Sequence, residues 1–464
     1  MGKKPNIVFI ITDQQHAGML SCTGNSHVST PHLDRLAAEG IRFEKAYCTN
    51  PVCTPSRFSM MTGVYPSRIG METVEDMDKN VPPQVLEHAL GNVFKNAGYR
   101  TLYGGKIHLP GPVGSQEEVQ SYGFEYITDD ARQGLANACA KFIRETDDQP
   151  FLLVASFINP HDICYMAIND YLEKKGKDPI GGDAWAYLKE ALRLPEGMDR
   201  AEFVEKYCPP LPANFEIPQQ EISAFMAEKP EFMHVARQQW TEHDWRLHRY
   251  AYARLTEVVD GEIGIILDAI AQSGQGQDTI ICFTSDHGEQ DGAHRLEHKA
   301  FLYEESVRVP FIMQGRDVVR GVVDNDHLVV TGIDILKTLC DASGVPVPTG
   351  LEGMSVWPLA TGETVHTWRD HLIVENHMAR LVHMGQWKYM VGRDERHTDE
   401  ECLHCRIYTN DYNNHYREML FDIVNDPGEM FNRVDDPAAH RFLEKGRERI
   451  RNRSHVMGEH HYQM

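Results

Sequence analysis

Short, nearly continuous apolar runs punctuate the chain, and stretches with helical spacing lie between them. Residues 6–12 (Asn-Ile-Val-Phe-Ile-Ile-Thr) form the first run and end at Asp13; residues 99–103, 151–157 and 279–284 repeat the pattern. A run without polar alternation fits a strand buried on both faces, as in a parallel sheet covered by helices. The spacing predicts helices over 31–40, opened by Thr30-Pro31, over 84–97, closed by Gly98, and over 131–145 and 240–271. Strand alternating with helix at these intervals predicts an α/β fold. The expected core is a large doubly wound sheet, mixed or mostly parallel, flanked by helices.

The alternation fails between about residues 163 and 235, where prolines recur at 179, 195, 209, 210, 212, 218 and 230. Such an insertion serves as a lid or substrate wall, or is a plain surface excursion. A Pro- and Gly-rich stretch at 346–362 marks a second break. Beyond it, residues 371–374, 381–391 and 419–423 read as a small antiparallel sheet and 438–450 as an amphipathic helix. The expected division is therefore a domain over 1–355, interrupted by the insertion, and a smaller C-terminal subdomain over 363–464.

Composition narrows the partners. The 464 residues carry 46 basic and 68 acidic side chains, a formal charge of −22. That balance excludes a surface built to bind nucleic acid or anionic lipid, but not a local anion site. The five apolar residues 7–11 are too few for a signal segment or a membrane span. The expected location is cytoplasmic, or periplasmic if a leader has been removed. The ten cysteines are scattered, which suits reduced, buried thiols. Cys402-Leu403-His404-Cys405 lacks a second pair at zinc-site spacing and reads as an incidental loop pair.

Histidine numbers 24, which invites a search for a site. Asp13 and Asp286-His287-Gly288 fall at the carboxyl ends of two expected strands, where open α/β sheets bind ligands. Two acidic groups converging there, with Gln14 and His287, could hold one hard cation. Asp-His-Gly alone reads equally as a structural turn. Asn50-Pro51-Val52-Cys53-Thr54-Pro55-Ser56-Arg57 is sharper. Pro55 in a first helical turn puts Cys53 at a helix N-terminus, which favours anions and thiolates. Arg57, one turn on, could hold an oxyanion or anchor the cysteine. A thiol nucleophile and a buried structural cysteine remain the alternatives.

Cys53-Thr54-Pro55-Ser56-Arg57 resembles the Cys-x-Pro-x-Arg signature of formylglycine-dependent sulfatases of the alkaline phosphatase superfamily. Further blocks resemble that family in order: residues 6–15, Gly104-Gly105-Lys106-Ile107-His108, Asn159-Pro160-His161-Asp162, and residues 285–299 followed by 303–310. Leu420-Phe421-Asp422 and Asn425-Asp426-Pro427-Gly428-Glu429 resemble its C-terminal subdomain. The resemblance spans about residues 5–440 and leaves the insertion unmatched. Many sulfatases have two aspartates where this chain has Asp13-Gln14. Asp-Gln openings are similar to those of uronate 2-O-sulfatases, choline sulfatases and phosphonate monoester hydrolases.

The resemblance implies that Cys53 is oxidised to formylglycine by a separate maturation enzyme and that its hydrate is the nucleophile. It implies one divalent cation, calcium, on Asp13, Gln14, Asp286 and His287 beside Cys53. It also implies Lys106 and Lys299 on the sulfate oxygens, Arg57 orienting the nucleophile, His108 as proton acceptor and His161 as general acid. Asp162, His294, His298 and His377 are secondary substrate candidates. The implied reaction is hydrolysis of a small sulfate ester, most of all a carbohydrate such as a uronate 2-O-sulfate from glycosaminoglycan oligosaccharides. The alternatives are an arylsulfatase, a phosphonate or phosphate monoester hydrolase, and a non-catalytic glycan-binding relative. With the chain at −22, short substrates are expected over long polyanions. Oligomeric state is left open.

Overall fold

The computed structural model describes residues 3–457 except 112–115, 147, 219, 223, 228 and 393–417. The Cys402–Cys405 pair lies outside the described residues. Eight strands form one sheet: β1 (Asn6–Asp13), β2 (Ile41–Phe43), β3 (Arg100–Gly105), β4 (Glu125–Thr128), β5 (Phe151–Pro160), β6 (Thr279–Ser285), β7 (Phe311–Gln314) and β8 (Val322–Asp324). Their order is β4-β3-β5-β1-β6-β7-β2-β8. β1 pairs in parallel with both β5 and β6, and only β7 runs antiparallel to its neighbours, so the sheet is mixed and mostly parallel.

The apolar runs are continuous because both faces of the sheet are covered. Ile7, Phe9 and Ile11 pack with Leu152, Val154, Ile280 and Cys282 on one face; Val8 and Ile10 pack with Leu153, Ala155, Ile281 and Phe283 on the other. The first face is covered in part by α5 (Thr331–Ser343), the second by α1 (Pro31–Ala38), α3 (Gln133–Glu145) and α4 (Glu242–Gln272). One helix breaks the amphipathic rule. Every residue of α2 (Cys53–Thr62) is buried, as a helix inside a large domain can be.

The chain divides into two compact units that interleave in sequence. Unit 1 holds Met1–His161, Ala253–Gly288 and Val307–Trp368; unit 2 holds Asp162–Tyr252, Glu289–Ser306 and Arg369–Met464. The expected insertion and the C-terminal residues thus fall in one unit. Unit 2 carries the antiparallel sheet β9 (Leu372–Glu375), β10 (Ala379–Met384), β11 (Trp387–Gly392) and β12 (Glu418–Asp422), on which α6 (His440–Met457) packs through Leu443 and Ile450.

Two expectations on local structure are corrected. Residues 381–391 are not one strand: Gly385, at φ 78°, turns the chain so that Met384 pairs with Trp387, a conformation that suits glycine. Residues 84–97 are two helices, Pro83–Glu87 and Leu90–Asn96, because Ala89 is extended at ψ 149°.

Candidate active site

Strand register builds the site. Thr12 pairs with Ser285, so Asp13 and Asp286 leave adjacent strand ends side by side. Asp13 also pairs with Pro160 at the end of β5, which His161 follows, and Gly105 pairs with Ser156, so Lys106 leaves the next strand over. Three serines fasten these ends. Ser285 Oγ lies 3.1 and 2.9 Å from the Thr12 and His287 carbonyl oxygens, either of which can take its proton, and accepts the Gln15 N–H at 2.9 Å; Ser56 Oγ donates to the Asp286 carbonyl at 2.5 Å. The third, Ser156, accepts from Arg57. A lone serine in a helix turn or an apolar strand carries no signal of which strand end it will fasten, and these roles were missed.

Cys53 opens α2 in its first turn, with no side chain capping the helix. Its Sγ lies 3.2 Å from His287 Nε2, 3.6 Å from Lys106 Nζ and 3.9 Å from Asp13 Oδ1. Ligand atoms of Asp13, Cys53, Asp286 and His287 all lie within 4.8 Å of one another, and all four residues are buried. Arg57 is equally buried. Its Nε donates to Asp286 Oδ2 at 2.8 Å, its NH2 to Asp13 Oδ2 at 2.9 Å, and its NH1 to Ser156 Oγ at 2.6 Å and the Lys106 carbonyl at 3.1 Å. The guanidinium therefore cross-links two carboxylates, and the anchoring reading of Arg57 suits this geometry better than an oxyanion contact.

With Oδ2 of each aspartate turned to Arg57, Oδ1 of each faces the cluster: Asp286 Oδ1 is 3.6 Å from His287 Nε2 and accepts the Gln14 and His287 amides. His287 Nδ1 lies 2.9 Å from the Gly288 carbonyl. That contact places the proton on Nδ1 and leaves the Nε2 lone pair toward the cluster, as a metal-binding histidine requires. Carboxylate oxygens and one imidazole suit a divalent cation. Burial, with Asp13 next to it, pushes the Asp286 carboxyl up to about 6, and a cation would relieve that repulsion.

Gln14 and His108 both hold positive φ, 68° and 46°, a strained conformation that clusters at functional sites. The Lys106 ammonium and then burial pull the His108 imidazole below its ordinary range, and its ring faces Cys53. Lys106 Nζ also contacts Asp13 Oδ2 at 2.5 Å. Asp13, Gln14, Cys53, Arg57, Lys106, His108, His161, Asp286 and His287 belong to unit 1; Asp162, His294, His298, Lys299 and His377 belong to unit 2. Within unit 2, His294 is buried, stacks on Tyr303 at 3.9 Å and meets the Gly428 carbonyl at 2.9 Å through Nε2. His298 is paired with Glu297 and lies 5.0 Å from the Phe232 ring. The Ala300 carbonyl, beside Lys299, accepts from Asn376, the neighbour of His377.

The sulfatase profile matches residues 5–345, and that of the N-sulphoglucosamine sulphohydrolase C-terminal region matches 292–455. The chain is 31% identical to an ulvan-active sulfatase of Formosa agariphila, over 80% of this chain and 68% of that protein. It is 26% identical to a Δ4,5-hexuronate-2-O-sulfatase of Bacteroides thetaiotaomicron, over 96% and 88%. The solved structure of a 2-O GAG sulfatase superposes with a TM-score of 0.77 at 23% identity, covering 98% of this chain and 93% of that one. With a family profile over most of its length, this chain belongs to the formylglycine-type sulfatases, and it is a sulfatase.

Proposed function

We propose that the enzyme removes sulfate from a small sulfated carbohydrate, with a uronate 2-O-sulfate of glycosaminoglycan oligosaccharides as first candidate. The observation that carries this reading is the Cys53 Sγ at the mouth of a buried helix, 3.2 Å from His287, 3.6 Å from Lys106 and 3.9 Å from Asp13. The hexuronate 2-O-sulfatase relative supports the sugar class. Cys53 is matured to formylglycine by a separate enzyme, and Asp13, Gln14, Asp286 and His287 hold calcium. Formylglycine at Cys53 would supply a hydroxyl nucleophile for the sulfate ester, and a divalent ion held by these residues would supply charge compensation there.

The chain's own residues do the rest. Lys106, and Lys299 from its motif, bind sulfate oxygens as point charges. Arg57 orients both aspartates through Nε and NH2, while its NH1 is held by Ser156. His161 gives a proton to the departing alcohol oxygen as its bond to sulfur breaks. His108, held neutral by the Lys106 charge and by burial, takes the proton of the second hydroxyl. Arg57, Lys106 and the ion make one positive spot in a chain of net charge −22, which favours short substrates over long polyanions.

Peptide mass spectrometry of active protein should show Cys53 converted to the aldehyde, and active protein with an unmodified thiol would sink the mechanism. Matured enzyme should turn over a uronate 2-O-sulfated disaccharide faster than an aryl sulfate or an aryl phosphonate. Preference for the phosphonate would reverse the substrate assignment.

A further inference from the structure

The Lys106 carbonyl is the focus of a buried hydrogen-bond cluster that the catalytic reading does not use. It accepts from Tyr103 Oη at 2.7 Å, from Ser156 Oγ at 2.7 Å and from Arg57 NH1 at 3.1 Å. Ser156 Oγ accepts in turn from Arg57 NH1 at 2.6 Å, and the Lys106 amide donates to the Ser156 carbonyl at 2.9 Å. Tyr103 and Ser156 are fully buried. A carbonyl oxygen has two lone pairs, so three donors over-determine its position. The backbone around it needs such holding. Gly105 has φ 86°, and a β-carbon there would stand 2.1 Å from the Ser156 carbonyl oxygen. His108 is strained in the same left-handed region, at φ 46°.

The side chain leaving this pinned backbone is the one that reaches the nucleophile position. Lys106 Nζ sits 2.5 Å from Asp13 Oδ2 and 3.6 Å from Cys53 Sγ. A lysine is a flexible four-carbon arm with a point charge, so its aim depends on where the backbone starts it. Both residues of the cluster lie outside the motifs: Tyr103 precedes the Gly-Gly-Lys turn, and Ser156 lies within an apolar strand.

We propose that Tyr103 and Ser156 are positioning residues that hold the Lys106 carbonyl and Arg57 in one frame, so that the Lys106 ammonium is aimed at the sulfate. The proposal rests on the reading of Lys106 as a sulfate ligand. The hydroxyl of Tyr103 is the cleaner handle, since Tyr103→Phe keeps the ring that packs against Phe124 and Tyr126.

The test is a double-mutant cycle on matured full-length enzyme. Y103F and S156A should each lower kcat/KM for a sulfate ester about 10-fold, as a misplaced binding group does. In a K106A background Y103F should change it by less than about twofold, because its hydroxyl acts through the Lys106 carbonyl. Hydrogen exchange of the segment 104–109 should rise in both single variants. An equal loss in the K106A background, or unchanged exchange, overturns the proposal, and S156T should recover part of the lost rate. If K106A itself turns over sulfate esters at the normal rate, the sulfate-binding reading falls and the catalytic part of the proposal with it. Raised exchange in Y103F would then still establish the clamp.

Discussion

Two buried charge clusters, one in each unit, solve the same electrostatic problem differently. In unit 1, Asp13 and Asp286 share Arg57, and Lys106 pairs with Asp13. The formal charges cancel, yet the Oδ1 atoms, His287 Nε2 and Cys53 Sγ still converge on one point. In unit 2, Lys388 is fully buried between Glu304 and Glu429, with Nζ 3.0 and 2.8 Å from their oxygens. There the count is one positive against two negative. Burial, with Glu304 and Glu305 nearby, pushes the Glu429 carboxyl up so that it can keep its proton. In the second cluster the surplus negative charge falls on a carboxyl whose burial favours its neutral form. The formal charges of the first already cancel, so a divalent ion bound as proposed would leave it net positive and favour an anion. A buried charge network is therefore evidence of function when its donor atoms converge beyond what mutual neutralisation requires.

The most severe break in the comparison is at Cys53. Cys53→Ala should reduce sulfate release to background while leaving the thermal transition close to wild type, since only a buried thiol is lost. Retained turnover in purified C53A would remove the nucleophile assignment. Next, Asp286→Asn should lower turnover by about 100-fold or more, as loss of a metal ligand does. A chelator should lower both activity and Tm through the loss of a ligand that binds the folded state. Chelation that spares both would contradict the ion.

The unit 2 cluster should behave in the opposite sense. Lys388→Met leaves the buried Glu429 facing the half-buried Glu304 without their cation and should cost about 3–5 kcal/mol by urea unfolding, with no change in its response to chelator. A stability cost below about 1 kcal/mol would show that the triad is not a structural network. The smallest effect concerns His248 of unit 2, which burial holds down to about 4. Between its ordinary value of 6.5 and about 4 the unfolded chain takes up a proton that the folded chain refuses. Stability should thus fall as pH drops through that window, by up to about 3 kcal/mol. His248→Gln should flatten that slope in denaturation curves taken across the window.

The contrast also explains what could be read from the residues alone. Strands β1, β3, β5 and β6 have six to ten residues, most of them buried, and stood out by pattern. β2, β7 and β8 have only three or four residues, too short for periodicity to separate from a loop. Asp13, Cys53, Arg57, Lys106 and Asp286 were legible because the motif joins residue type to spacing. Ser56, Ser156 and Ser285, which tie the strand ends together, are silent in sequence, since their meaning depends on which strands are neighbours. The Lys388 triad was silent for the same reason: its members, at 304, 388 and 429, meet only through the fold.

The burial of α2 sets a clock on biosynthesis. Cys53 is 2% exposed in the folded chain, so the maturation enzyme proposed above would have to act before folding closes over the sulfur. His287, which covers that sulfur, follows 234 residues later. At about 5–20 residues per second of synthesis, that interval is on the order of 10–50 s. The parallel pairing of β1 with β6 cannot form sooner, because the second strand does not yet exist. The same long-range register that assembles the site thus delays its closure, and if Cys53 is converted as proposed, hosts that translate faster should leave a larger fraction of the thiol unconverted.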